Sequence, residues 1–258
     1  MLIPIGDDDR DLKGPAYITT ALIVINLAFF FLLQGAGSDT GFTYGWSAVP
    51  YEIMTGEDLQ SPVVTQISGR SVQIPQAPGP PIIYITLLTA MFMHGGFAHL
   101  FGNLLYLWIF GDNVEHRFGW KVFLGFYLVS GLAATFTQIM LNPDSVIPTL
   151  GASGAISGVL GAYMILFPRN KVYALFFFRV ITVPALVAIG LWILFQVFSG
   201  WGALTAAGEV GGGVAYGAHV GGFIAGAVMA MILRYIIKEE PQSLYSAVSS
   251  RDGSRRYW

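Results

Sequence analysis

Ser153, in GASGAISG, and His219, in AHVGGFIAG, are the residue types of a nucleophile and of the base that could activate it. A serine hydroxyl attacks poorly until a neighbouring acceptor takes its proton, and neutral imidazole suits that role near pH 7. His99 and Asn103, in HGGFAHLFGN, stand at i and i+4. On a helix they would share one face and present donors to a developing oxyanion. The chemistry implied is acyl transfer. The nearest outer acids, Asp144 and Glu209, lie in loops and no Asp or Glu falls in a span core, so a Ser–His dyad is expected rather than a triad with a carboxylate behind the histidine.

The elements that must position these groups are membrane helices. The chain has 258 residues, 54% hydrophobic and 11% charged, and no cysteine; soluble domains carry about 25% charged residues. Mean hydropathy is positive. No disulfide or thiol chemistry is available, and a net charge of −2 leaves no footprint for nucleic acid. Crossing the hydrocarbon takes about 17–25 apolar residues. The candidate spans are Tyr17–Leu33, Phe97–Phe110, Trp120–Leu141, Leu150–Phe167, Val180–Phe198 and Val214–Ile237. Ile82–Met93 is too short to span, follows Pro80-Pro81, and reads as interfacial or re-entrant.

The charges support six spans with both termini cytoplasmic. Of the 13 basic residues, all but Arg70 then fall on the inner side, as the positive-inside rule asks. Residues 1–16 become a short cytoplasmic segment, 17–238 the six-helix membrane domain, and 239–258 a polar cytoplasmic tail. Within the domain, 35–81 form a long proline-rich outer loop and 199–217 a glycine-rich one. The fold expected is an all-α six-helix membrane bundle.

In that topology spans two, four and six all begin outside, and their outer ends carry His99 with Asn103, then Ser153, then His219. Polar side chains in a bilayer are costly and mark function by default. Small residues could bring them together. Ser153, Ser157 and Gly161 recur along span four, flanked by Gly154 and Gly158; Ala218, Gly222, Gly226 and Ala230 recur along span six. Such stripes let helices approach closely in lipid.

Each signal has an ordinary counterpart. A serine in a span commonly packs or bonds a carbonyl one turn back. A histidine could bind metal or carry protons, and a carrier built on His94, His99 and His219 is the reading ranked last, with no HExxH and no intramembrane carboxylate. His116, at a span edge, is expected to face solvent. GASGA also departs from the hydrolase elbow G-x-S-x-G, because Ala155 takes its last position.

With those motifs in view, the chain resembles the rhomboid intramembrane serine proteases. HGGFAHLFGN, with His94, His99 and Asn103, is similar to the family's second-span signature, and NVEHRFG, with Glu115 and Arg117, to its E-x-R motif. GASGAISG and AHVGGFIAG resemble the nucleophile and base motifs. The resemblance implies a six-span core, Ser153 as nucleophile and His219 as general base, with His99, Asn103 and the Ser153 N–H at the oxyanion. It implies site support from His94, Gly151 and Gly154, helix packing through Gly222 and Gly226, and a structural pair of Glu115 and Arg117. Substrates would be single-span or polytopic membrane proteins cut near the outer ends of their transmembrane segments, entering laterally near spans two and five, with no metal or cofactor. The location expected is the bacterial plasma membrane, and the alternative is a catalytically silent binding or sorting protein. Two departures stand out. Ile85 and Thr86 occupy the place of a Trp-Arg pair, and Ser157 stands where an aromatic often stacks on the base, so another residue must hold His219.

Overall fold

A computed structural model describes residues 2–9, 12, 14–67, 69–205 and 215–237. The polar tail 239–258 lies outside the described residues, as do Arg10, Lys13, Glu209 and the middle of the glycine-rich loop.

The apolar runs form helices α1 (Tyr17–Ala28, continued by a π-helical stretch Phe29–Leu33), α5 (Phe97–Phe118), α6 (Trp120–Leu141), α7 (Ser153–Leu166), α8 (Ala185–Thr205) and α9 (Tyr216–Ile236). The proline-rich segment 35–81, expected to be the first outer loop, folds into short helices α2 (Thr40–Gly45) and α3 (Pro50–Thr55) and the hairpin β2 (Val63–Ile67) with β3 (Arg70–Ile74). A one-turn helix α4 (Thr86–Thr89) lies between 3-10 turns. It belongs to Ile83–Phe92, which bends by 75° against α5, the geometry of a re-entrant or broken piece. Trp120–Leu141 and Tyr216–Ile236 are each long and apolar enough to cross a membrane, and the bent pair passes as one unit. Tyr17–Leu33, Ser153–Leu166 and Ala185–Trp201 are apolar but shorter.

Helix α7 is central. Every residue from Gly154 to Tyr163 is buried, so the helix is covered on all sides by α5, α6, α8 and α9. A helix apolar all round belongs in such a position. Its closest neighbour is α9, and glycine makes the approach possible. A Cβ on Gly222 would overlap the carbonyl oxygen of Gly154, one on Gly226 that of Gly158, and one on Gly161 that of Phe223. Helix α6 closes on the same seam: a Cβ on Gly154 would come 2.6 Å from the Ala134 methyl, and one on Gly222 would come 3.2 Å from it.

The all-α expectation is corrected by a three-stranded antiparallel sheet, order β1-β4-β5, made of β1 (Leu2–Asp7), β4 (Lys171–Phe176) and β5 (Arg179–Pro184). The N-terminal segment therefore supplies a strand, and the fifth apolar run is strand as far as Pro184 and helix from Ala185. That helix continues to Thr205, into the stretch expected to be loop from residue 199. Val172 and Ala174 alternate with exposed neighbours and bury one face of β4.

Glu115 and Arg117 hold different helix ends rather than each other. Glu115 accepts hydrogen bonds from the Ile18 N–H (3.0 Å), the Thr19 N–H (2.7 Å) and the Thr19 hydroxyl (2.8 Å). It thereby caps α1, whose own N-cap residue Ala16 makes no side-chain cap. Arg117 donates to the Ile237 carbonyl at the end of α9. Residues two apart on a helix do not face each other, which is why the pair divides. His116 is likewise engaged, its ring nitrogens 2.7 Å from the Asp112 carbonyl and 3.0 Å from that of Gly14.

Candidate active site

Ser153 is the first residue of α7 and His219 lies in the first turn of α9. The glycine contacts just described bring these two ends together. Ser153 Oγ lies 2.7 Å from His219 Nε2, and His219 Nδ1 lies 2.8 Å from Gln196 Oε1. An amide oxygen only accepts, so it keeps the proton on Nδ1 and leaves the Nε2 lone pair for the serine hydroxyl. Both members of the dyad are half-buried.

Gln196 was missed from sequence because only acids were considered behind the histidine. Its signal was plain: it is the lone polar side chain in ALVAIGLWILFQVF, and it is buried. Trp192, one turn earlier on α8, sets its ring against the imidazole with centroids 5.9 Å apart. An aromatic neighbour for the base thus comes from α8, while Ser157 donates to the Ser153 carbonyl at 2.6 Å.

Facing the dyad is the start of α5. The Gly95 N–H donates to His99 Nδ1 (3.3 Å), which leaves the proton on Nε2. Gly151 shows where that nitrogen points: a Cβ there would stand 2.7 Å from His99 Nε2 and 3.6 Å from Ser153 Oγ. The Nε2–H therefore faces the space in front of the hydroxyl. Gly151 adopts φ +125°, favoured by glycine alone, and its own N–H bonds the Ala90 carbonyl at 2.8 Å. Asn103 is buried one turn along α5, and its Nδ2 has no partner among the described residues. The first N–H groups of α7 have no acceptor within their helix and carry the positive end of its dipole. Such donors suit a developing negative charge.

His94 is fully buried, its ring nitrogens without a hydrogen-bond partner among the described residues and the ring edge-on to His99 at 5.2 Å. Its backbone is clamped by Gln34, which accepts from the His94 N–H and donates to its carbonyl, each at 2.9 Å. Among the described residues no group of three His, Asp or Glu side chains is placed to hold a metal ion.

Helices packed around a glycine seam, some of them long and apolar enough to cross a membrane, define a membrane-protein fold in which a hydroxyl and an imidazole meet at one end. The family model described as the Rhomboid domain matches residues 83–236, more than half of the chain, and the chain belongs to the rhomboid family. It is 32% identical over 162 residues to Rhomboid protein 1, mitochondrial, of Saccharomyces cerevisiae, covering 61% of this chain and 44% of that protein. It is 33% identical over 147 residues to Rhomboid protease GluP of Bacillus subtilis, covering 56% and 26%. RHOMBOID-like protein 4 of Arabidopsis thaliana is 30% identical over 148 residues, covering 57% and 33%. The chain thus spans less than half the length of these relatives. Because a mitochondrial protein stands among them, kinship places the chain in a membrane without selecting the bacterial plasma membrane, and that expectation is withdrawn.

Proposed function

We propose that this chain is an intramembrane serine endopeptidase that cuts substrate transmembrane segments near their outer ends. Ser153 Oγ attacks the scissile carbonyl while His219 Nε2 takes its proton. His219 then gives the proton to the leaving amine, and water releases the acyl group from Ser153 by the same route. His99 Nε2–H, Asn103 Nδ2 and the N–H groups at the start of α7 hold the oxyanion. Gln196 keeps His219 in the tautomer that can accept. The topology proposed is six spans with both termini cytoplasmic, residues 17–238 forming the membrane domain.

The observation that carries this reading is the relay Ser153–His219–Gln196, at 2.7 and 2.8 Å, assembled from three different helices. Membership of a family that includes a named protease supports it.

The test is cleavage of a single-span model substrate in vesicles, together with labelling by a serine-directed fluorophosphonate. Wild type should cut and be labelled; Ser153→Ala should do neither. Cleavage that persists in Ser153→Ala would sink the assignment. Capture of the substrate without cleavage by wild type would point instead to a silent binding protein.

A further inference from the structure

The hairpin of the first outer loop borders the site. A cavity of about 770 Å³ reaches His99 and Gln196, and its outer wall includes Thr65, Gln66 and Ile67. These are three consecutive residues of β2; none comes from β3. Successive side chains of a strand point to opposite faces, so three in a row border one space only along the strand's edge. Since the other edge is paired with β3, the edge facing the cavity is the one that is unpaired among the described residues.

The register says which main-chain groups that edge offers. Ile67 is opposite Arg70, closing a two-residue turn in which Gly69 takes φ +74°. The pair closing such a turn exchanges hydrogen bonds, and bonded and non-bonded pairs then alternate along an antiparallel ladder. Thr65 opposite Val72 is therefore bonded inward, while Gln66 opposite Ser71 and Val64 opposite Gln73 turn their N–H and C=O outward. Gln66 is the outward pair that lines the cavity. Residues 62–75 also lie before the segment that the family model matches, which starts at residue 83.

We propose that the free edge of β2 is a docking strand: the outer flank of a membrane-protein substrate, extended as it leaves the cavity, pairs main chain to main chain with Gln66 and Val64. Strand addition of this kind takes its affinity from backbone bonds and reads side chains only through alternate positions. This inference rests on the protease reading for its occupant.

Two substrates with one transmembrane segment test it, one with its outer flank removed and one with a long polar flank. In wild type kcat/KM should favour the long flank by about tenfold, the worth of one or two main-chain bonds. Gln66→Pro, which deletes the outward N–H, should bring the ratio close to one. Gln73→Pro, which deletes the outward N–H of the far edge, should keep it and controls for proline in the hairpin. Equal rates on both substrates in wild type, or a loss as great in Gln73→Pro, overturn the docking strand and leave the protease reading standing. A second experiment needs no catalysis. Since the chain has no cysteine, Gln66→Cys in a Ser153→Ala background is a single handle for disulfide trapping of flanks carrying one cysteine each. Trapping should alternate along the flank with a period of two. Helical spacing, no trapping, or Gln66→Cys joined to a second copy of the chain overturns the proposal, while loss of cleavage and labelling in wild type overturns the reading beneath it.

Discussion

The two ends of α7, called outer and inner after the topology proposed above, treat polar groups in opposite ways. At the outer end Ser153, His219, Gln196 and His99 meet beside an open cavity, and the Asn103 amide is buried with its donor unspent. At the inner end Tyr163 donates to Asp7 of β1; Asn113 donates to Asp7 (2.9 Å) and to Asp9 (3.0 Å); Asn170 donates to the Tyr163 oxygen (3.3 Å). The inner groups are closed on one another and tie the sheet to the helices. The outer groups keep capacity for something not yet bound. Buried polar groups are normally satisfied, so the unsatisfied end is where function is to be sought.

The contrast can be broken most severely at its outer end. His219→Ala should lower cleavage by about 10³-fold or more, as loss of a catalytic base does when residues act as a unit, while thermal unfolding stays close to wild type. Gly226→Ala attacks the seam that both ends share. Its methyl overlaps the Gly158 carbonyl, so stability should fall by about 1–3 kcal/mol and activity with it, readable as a lower melting temperature. Gln196→Leu is milder, removing one bond to the base, and kcat should fall about tenfold with KM little changed. Activity should also fall in acid as His219 takes a proton and can no longer accept one from serine; a rate that stays unchanged down to the pH at which the fold itself is lost would count against this histidine as the base.

The smallest effect belongs to the inner end and shows in stability rather than rate. Burial pushes the Asp7 carboxyl up from 3.8 to about 8, Asp9 nearby adding to the rise and the Tyr163 bond opposing it. The folded chain then holds this proton more tightly than the unfolded chain does. The stabilisation is complete below the unfolded value and is lost as pH climbs towards 8. Asp7→Asn, which mimics the protonated form, should flatten that part of the melting curve's pH dependence and leave cleavage at low pH as it was.

Residue types and their place in apolar runs draw attention to Ser153, His219, His99 and Asn103 in the sequence, because an alcohol or imidazole there is conspicuous, and the structure sets Ser153 against His219. The glycine stripes were equally legible, since only a missing Cβ permits the contacts of Gly222 and Gly226. The sheet was not legible. KVYALF and RVITVP are apolar runs with no period that separates a buried strand from the start of a helix, and β1 lies far from them in the chain. The pairing of Glu115 with Arg117 was a misreading of spacing: positions i and i+2 diverge around a helix, and each found a helix end. Gln196 escaped because an orienting group was sought among carboxylates, though a neutral amide fixes a tautomer equally well.

The last consequence concerns α8. It carries both the acceptor that sets the imidazole's proton and the indole beside it, yet it packs chiefly against α9 and to a lesser extent α7, and leaves much of its surface uncovered. Whatever displaces this helix therefore also unlatches the base. In such an interlock, on the protease reading proposed above, readiness to react is set by the position of one peripheral rod, and the serine itself never has to move.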